Sequence, residues 1–291
     1  MSQPQIDIGI IGGSGLYDMT GLSDVQEVRP STPFGQPSDA IITGTLEGRR
    51  VGFVPRHGRG HRINPSNVPY QANIFALKSM GAQAVLSVSA VGSLREEIRP
   101  LDVVVPDQLL DRTKNRLSTF FENGIVVHVG FSDPFCPALA EVLHTQASDQ
   151  GLRSHKGGTY VAMEGPHFST RAESELYRSW GASIIGMTAV PEAKLAREAE
   201  LCYATLACST DYDCWHPDHD DVTAEMIIAN LNENAGHAQA VVRRAVAAFP
   251  NNRQCGCRSA LATAIVTPPD AVPRSLKREL TPLLGKYLGE G

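Results

Sequence analysis

The chain has 291 residues, 42% of them hydrophobic and 20% charged, with a formal net charge of −5. This is globular composition: it excludes a disordered chain, gives no basic footprint for nucleic acid, and holds no apolar run of about eighteen residues that would span a bilayer. The length permits about two domains, yet no linker divides it, so a single domain over 1–291 with a C-terminal helical tail from about 251 is expected.

In chain order, Met1-Ser-Gln-Pro lacks the basic start and apolar stretch of a signal peptide, which points to the cytoplasm. The first strand-like run, Ile8 to Ile11, ends in Gly12-Gly-Ser14-Gly15, a turn whose backbone N–H groups and hydroxyl can hold an anion. It is neither a dinucleotide fingerprint, which fails at Asp18, nor a P-loop, which would need Gly-Lys-Ser/Thr. Alone it reads as an ordinary tight turn. The run Val51 to Val54 leads to Arg56-His57, a planar fork that suits phosphate beside a further donor, or else solvated surface basic residues. Asn67 to Met80 reads as a helix, with Pro69 tolerated in its first turn and Gly81 as its stop.

The run Val85 to Val88 is followed by Ser89-Ala90, and Tyr160 to Met163 by Glu164-Gly-Pro-His-Phe168. Thr170 and Glu173 have capping-box spacing for a helix running to Trp180. Ile184 to Met187 leads to Thr188, and Tyr203 to Ala207 to Asp211-Tyr-Asp213. Ile227, Leu231, Ala235, Ala238, Val242 and Val246 recur at helical spacing, which predicts the longest helix over 223–249. Residues 251–272 read as irregular and 275–288 as one amphipathic helix.

Alternating strand and helix patterns predict an α/β fold, a mostly parallel sheet with helices on its faces. In such a sheet, ligands bind outside the carboxyl ends of strands. The endings above would bring donors for a tetrahedral anion and a pair of carboxylates to one crevice. If strand geometry persists past Asp211, Asp211 and Asp213 share a face, and their repulsion raises one apparent pKa enough to make a proton donor; exposed acids in a turn are the alternative. His216-Pro-Asp-His219 could ligate a metal, but Pro217 spoils helical spacing and a solvated loop fits better. The six cysteines, at 136, 202, 208, 214, 255 and 257, show no CxxC pair that would read as zinc. Reduced, buried thiols are expected, although Cys255-Gly-Cys257 could also close a strained disulfide.

The segments IGIIGGSG, PRHGRGHRINPSNVPYQAN, GSLREEI, EGPHFSTRAES, GMTAVPEAKLAREA and STDYDCW, in that order, resemble the S-methyl-5'-thioadenosine phosphorylases of the trimeric purine nucleoside phosphorylase superfamily. The likeness covers nearly the whole chain and loosens in the tail. It implies a central mixed β-sheet flanked by helices, a homotrimer with active sites near subunit interfaces, inorganic phosphate as co-substrate, and no metal or organic cofactor. The implied reaction is pentosyl transfer in purine and methionine salvage: methylthioadenosine and phosphate give adenine and 5-methylthioribose 1-phosphate.

By the same resemblance, Ser14, Arg56, His57, Ser89, Ala90 and Thr188 would hold phosphate. Phe168 would stack on the purine, Met187 would lie under the ribose, and Asp211 and Asp213 would face the N7 and 6-amino edge. Ala224, Ile227 and Ile228 would line a 5'-methylthio pocket, with His128 and a tail residue near Val266 reaching in from a neighbouring subunit. Asp211, rather than Asn, suits a 6-amino purine, and Ser169 stands where 6-oxopurine phosphorylases resemble one another in placing Glu. Gly186 departs from an Asn that commonly precedes the Met-Thr pair, and Ser89-Ala-Val-Gly from Thr-Ala-Cys-Gly. The rival readings are a methylthioinosine or general purine nucleoside phosphorylase, a metal-dependent nucleoside hydrolase using His57, His61, His216 and His219, and a nucleotide-binding protein without turnover.

Overall fold

A computed structural model describes residues 4–13, 16, 19–217 and 224–289. The strands are β1 (Ile8–Gly12), β2 (Ser23–Val28), β3 (Ile41–Leu46), β4 (Arg49–Pro55), β5 (Ala84–Ser93), β6 (Val103–Val105), β7 (Gln108–Arg112), β8 (Ser154–Lys156), β9 (Thr159–Met163), β10 (Ile184–Gly186) and β11 (Cys202–Asp211). The helices are α1 (Tyr70–Ser79), α2 (Pro137–Ser148), α3 (Arg171–Ser179), α4 (Ala189–Glu198), α5 (Ala224–Ala248), α6 (Arg274–Glu279) and α7 (Thr281–Leu288). Among the described residues, no helix is long and apolar enough to cross a membrane.

The sheet is mixed and runs β2-β3-β4-β1-β5-β10-β9-β7, with β11, β6 and β8 branching from β5. Alternation along the central strands builds a core on each face. Ile8, Ile10, Leu86 and Leu206 pack with Leu139 and Leu143 of α2 and Val241 and Val242 of α5. Ile11, Val85 and Tyr203 point the other way, toward α1, α4 and α7.

Local signals behave as their chemistry dictates. Thr170 and Glu173 make both bonds of the capping box at the start of α3. Pro69 sits at the N-cap of α1, after a 3₁₀ turn at Pro65–Asn67. The tail departs from the expectation of one helix over 275–288: it breaks at Leu280 (φ −99°, ψ 18°) into α6 and α7, with Pro282 in the first turn of α7. Proline has no N–H to continue the ladder, so the second helix starts afresh there.

The feature that positions the site is a gap beside β5. On one edge, β11 runs parallel to it from Ala84 to Gly92. On the other edge, β1 pairs only with Ala84–Ser87, and β10 arrives antiparallel to pair with Gly92 and Ser93. Among the described residues, Val88 to Val91 therefore have no strand partner on that edge. The carboxyl ends of β1 and β10 approach this opening from opposite directions. This corrects the expectation that Ser89 and Thr188 both follow the carboxyl ends of runs in a mostly parallel sheet: Ser89 lies inside a long strand, and β10 runs against it.

Candidate active site

Arg56 follows β4 and is tied to β1 by its backbone N–H, which donates to Gly12 O at 3.0 Å. Its side chain turns into the gap, where Nη1 donates to the freed Val88 carbonyl at 3.0 Å and Nη2 to Ser87 Oγ at 2.7 Å. The fork itself is taken by Glu192: Nε and Nη2 donate to the two carboxylate oxygens at 2.6 and 3.1 Å. Of the five guanidinium N–H donors, one on Nη1 is left over among the described residues. Burial works against the charge of Arg56, and Glu192 more than offsets it, holding the guanidinium above its usual pKa. Glu192 also accepts from Ser87 Oγ and from Tyr203 O–H, at 3.2 and 2.9 Å. Sequence reading missed Glu192, because it lies on a helix with no strand ending to mark it.

His57 is buried, and its loop is closed by a reciprocal pair: Ile63 N–H donates to His57 O at 3.0 Å, while His57 Nδ1 lies 2.8 Å from Ile63 O. A carbonyl only accepts, so Nδ1 carries the proton. Burial, with the Arg56 charge adding to it, pushes the imidazole down to about 4. At neutral pH Nε2 is therefore an acceptor, which revises the expectation of a second donor here. His61 stacks on the ring at a centroid distance of 4.3 Å.

Ser89 and Thr188 are both buried. Among the described residues the Ser89 hydroxyl has no hydrogen-bond partner, and Thr188, at the N-cap of α4, makes no side-chain cap bond. A third hydroxyl joins them. Tyr160 of β9 is fully buried, its O–H lies close to Thr188 and Ser89, and, like Ser89, it has no well-formed bond among the described residues. Buried polar groups are normally paired, so the two unpaired hydroxyls of Ser89 and Tyr160, beside Thr188, mark a place for a ligand. Ala90 is next to Ser89 on the open edge of β5. Ser14 lies outside the described residues.

Tyr160 also accounts for Gly186. A Cβ at position 186 would fall 2.1 Å from the Tyr160 hydroxyl and 2.8 Å from its ring carbon. Here the tyrosine occupies the space that an asparagine side chain would need. Gly186→Asn is accordingly expected to destabilise the fold by about 1–3 kcal/mol through overpacking. Urea unfolding should show part of that loss recovered when Tyr160→Phe is added, and no recovery would disprove the clash.

The acid pair is buried at the other end of the opening. Asp211 closes β11 beside Gly92; its Oδ1 stands 2.8 Å from where a Cβ on that glycine would be. Oδ2 accepts from Thr210 Oγ1 at 2.7 Å, and Oδ1 accepts from the Asp213 N–H at 2.8 Å. The strand does not persist: Asp213 lies in a turn at φ 50°, so the turn, not strand alternation, brings it back to its partner. Burial raises both carboxyl pKa values, and the charge of Asp213 adds to the shift at Asp211. Burial is the larger cause, ahead of the mutual repulsion expected from sequence.

Arg116, also missed from sequence, fastens the walls. It donates to Met187 O and Val190 O, both at 2.7 Å, and from Nε to Glu164 Oε1 at 3.2 Å. It thereby fixes the residues after β9 against those after β10. Ser169 Oγ lies 3.7 Å from Met163 Sδ, and Phe168 is 43% exposed. Asn230 of α5 donates to Thr210 O at 2.6 Å, tying that helix to the end of β11. Ala224, Ile227 and Ile228 lie in the first turns of α5, but their side chains are outside the described residues. His128 and Val266 are exposed and lie on adjoining segments: His128 N–H donates to Ala264 O at 2.8 Å and Val266 N–H to Val126 O at 2.9 Å.

Among the described residues the proposed histidine metal ligands are not brought together. His216 pairs with Glu96 at 3.1 Å, His219 is outside the described residues, and among the described residues no cluster of three possible ligands contains a histidine.

Residues 7–247 match the phosphorylase superfamily. The S-methyl-5'-thioadenosine phosphorylase of Koribacter versatilis is 60% identical over 286 residues, 98% of each chain. That of Gloeobacter violaceus is 58% identical over 295 residues, 99% of this chain and 98% of the relative. Among solved structures, a methylthioadenosine phosphorylase from an antarctic soil metagenomic library superposes with a TM-score of 0.93 at 50% identity, covering 97% of this chain and 100% of that one. The Schistosoma mansoni methylthioadenosine phosphorylase in complex with adenine superposes with a TM-score of 0.81 at 35% identity, covering 86% and 93%. With the forked sheet, the unpaired hydroxyls and the buried acids, these matches place the chain in the phosphorylase superfamily.

Proposed function

We propose that the protein cleaves the N-glycosidic bond of S-methyl-5'-thioadenosine with inorganic phosphate, giving adenine and 5-methylthioribose 1-phosphate. One observation carries this reading: the unpaired hydroxyls stand at Ser89 and the buried acids at Gly92, three residues apart on one strand. At about 3.3 Å per residue that is about 10 Å, the span of an anion, a pentose and the near edge of a purine.

In this reading Ser89, Thr188, Tyr160 and Ser14 donate to phosphate, with Ala90 lining the subsite. Arg56, largely neutralised by Glu192, contributes its remaining N–H and orients the hydroxyls. His57 Nε2 accepts from the P–O–H of hydrogen phosphate, a bond that fixes which oxygens remain free to attack. As the C1'–N9 bond lengthens, the oxyanion stabilises the positive ribose and attacks C1'. A protonated Asp211 hands its proton to N7 of the departing purine, and its other carboxyl oxygen, together with Asp213, accepts from the 6-amino group. Phe168 stacks on the base, Ser169 leaves room beside it, and Met187 lies under the ribose.

Burying a methylthio group against Ala224, Ile227 and Ile228 gains on the order of 1–2 kcal/mol over a 5'-hydroxyl. Adenosine is then a poorer substrate. The exposed Val126 and Val266, 48% and 60% accessible, support a homotrimer in which this edge and His128 complete a neighbour's site. A cytoplasmic location and the absence of a catalytic cofactor belong to the same reading.

Release of adenine from methylthioadenosine is expected only with phosphate, together with a sugar phosphate. Release without phosphate, giving the free sugar, would establish a hydrolase instead. Hypoxanthine release equal to or above adenine release from matched nucleosides would establish the methylthioinosine or general purine enzyme.

A further inference from the structure

Four of the six cysteines, scattered in sequence, come together away from the proposed active site. Cys136 is the N-cap of α2, Cys202 opens β11, and Cys255 and Cys257 belong to the 3₁₀ turn at Gly256–Ser259. Their four Sγ atoms all lie within 4.8 Å of one another, and Cys202 and Cys255 approach to 3.3 Å. All are free thiols; Cys136, Cys202 and Cys257 are buried and Cys255 is half-buried.

We propose that Cys136, Cys202, Cys255 and Cys257 form a mononuclear tetrathiolate site for one zinc ion, which clasps the C-terminal tail to the central sheet. Zn–S bonds of about 2.3 Å in a tetrahedron place sulfurs about 3.8 Å apart, inside the observed spread. An iron–sulfur cluster distributes its cysteines over several irons and needs a wider cage. With four protein ligands, no position is left open for chemistry.

Binding is balanced by release of four protons, one from each thiol, and leaves a zinc–tetrathiolate carrying two negative charges. A cation stands ready beside it. Arg253 Nη1 lies 3.8 Å from Cys202 Sγ, held by Gln83 O and Glu200 O at 2.9 and 3.2 Å. Conserving such an outer partner normally matters for affinity. Cys202 and Asp211 open and close the same strand, about 30 Å apart at nine residues, so the ion is structural. Its effect is on the tail that continues from Cys257: Leu261 N–H donates to Glu200 Oε1 at 3.1 Å, and Ala264 and Val266 bond the 126–128 segment.

Protein produced in zinc-supplemented medium without a metal-affinity tag, then exchanged into metal-free buffer, is expected to carry about one zinc per chain. Cys255→Ser and Cys257→Ser should lose it, Cys208→Ala should keep it, and Arg253→Gln should weaken it by about tenfold. Two measurements on the unmodified chain do not depend on how the variants fold. Cobalt substitution should produce the intense visible bands of a tetrahedral thiolate site. Denaturation in chelator without reductant should expose all six thiols. Detection of only Cys208 and Cys214, which two disulfides would cause, overturns the proposal, as does iron in place of zinc or six thiols without metal.

Discussion

Asp211→Asn is expected to lower kcat/KM on the 6-amino nucleoside by about 10²–10⁴-fold, the usual worth of a positioned proton donor. The amide is the same size and can still accept from the Asp213 N–H or the Thr210 hydroxyl, so the turn should survive. It cannot release a proton to N7, and it presents N–H where a 6-amino group also presents N–H. Turnover should therefore shift in relative terms toward 6-oxo nucleosides, whose oxygen accepts from an amide.

The pH dependence follows from the same residue. Burial raises the Asp211 pKa, so its protonated form persists above the ordinary carboxylate range and declines as pH rises. Wild-type kcat/KM should fall on the alkaline side of that pKa, and the Asn variant should lose this limb. For stability the sign is also fixed: a carboxyl raised on folding stabilises most fully below its unfolded pKa, and that contribution is lost as pH rises through the folded value. Asp211→Asn should accordingly unfold no more readily than wild type at neutral pH. Unchanged base preference together with an unchanged pH profile would remove Asp211 from its role.

Glu192→Gln is expected to destabilise the fold by about 3–5 kcal/mol, because it leaves the buried Arg56 charge without its counter-ion. Glu192 is wholly buried and receives hydrogen bonds from Arg56, Ser87 and Tyr203, so no water can take over its charge. Arg56→Met should cost a similar amount by stranding the carboxylate. The double change, which removes both charges, should cost less than the sum of the two single changes. Urea unfolding of the four proteins gives the cycle. A loss below about 1 kcal/mol for Glu192→Gln would mean that the pair is dispensable. In kinetics, the KM for phosphate should rise in both single variants and stay high in the double variant, separating a folding role from an orienting one.

Much of the fold was legible because its signals are local. The capping box at Thr170 and Glu173, the apolar spacing along α5 and the strand-like runs each depend on neighbours a few residues away. The break at Leu280 was missed although Pro282 marks it, because the spacing of apolar residues continues across it. The chemical residue types were legible too: Arg56, Ser89, Thr188 and Asp211 stand at or near the sheet opening. Their partners were not. Glu192 is 136 residues from Arg56, and Tyr160, which fills the space at Gly186, lies on a different strand.

By itself the amino-acid order determined the α/β class, most of the helices and strands, and a set of anion donors and acids, since these follow from periodicity, capping and side-chain chemistry. Only the tertiary structure decided how they meet. The reversal of β10 against β5 opens the gap, Glu192 occupies the fork of Arg56, the Ile63 carbonyl fixes the His57 tautomer, and three distant segments gather four thiols. Each of these depends on contacts between residues far apart in the chain, where direction and register are set by packing of the whole sheet and are invisible to any local pattern.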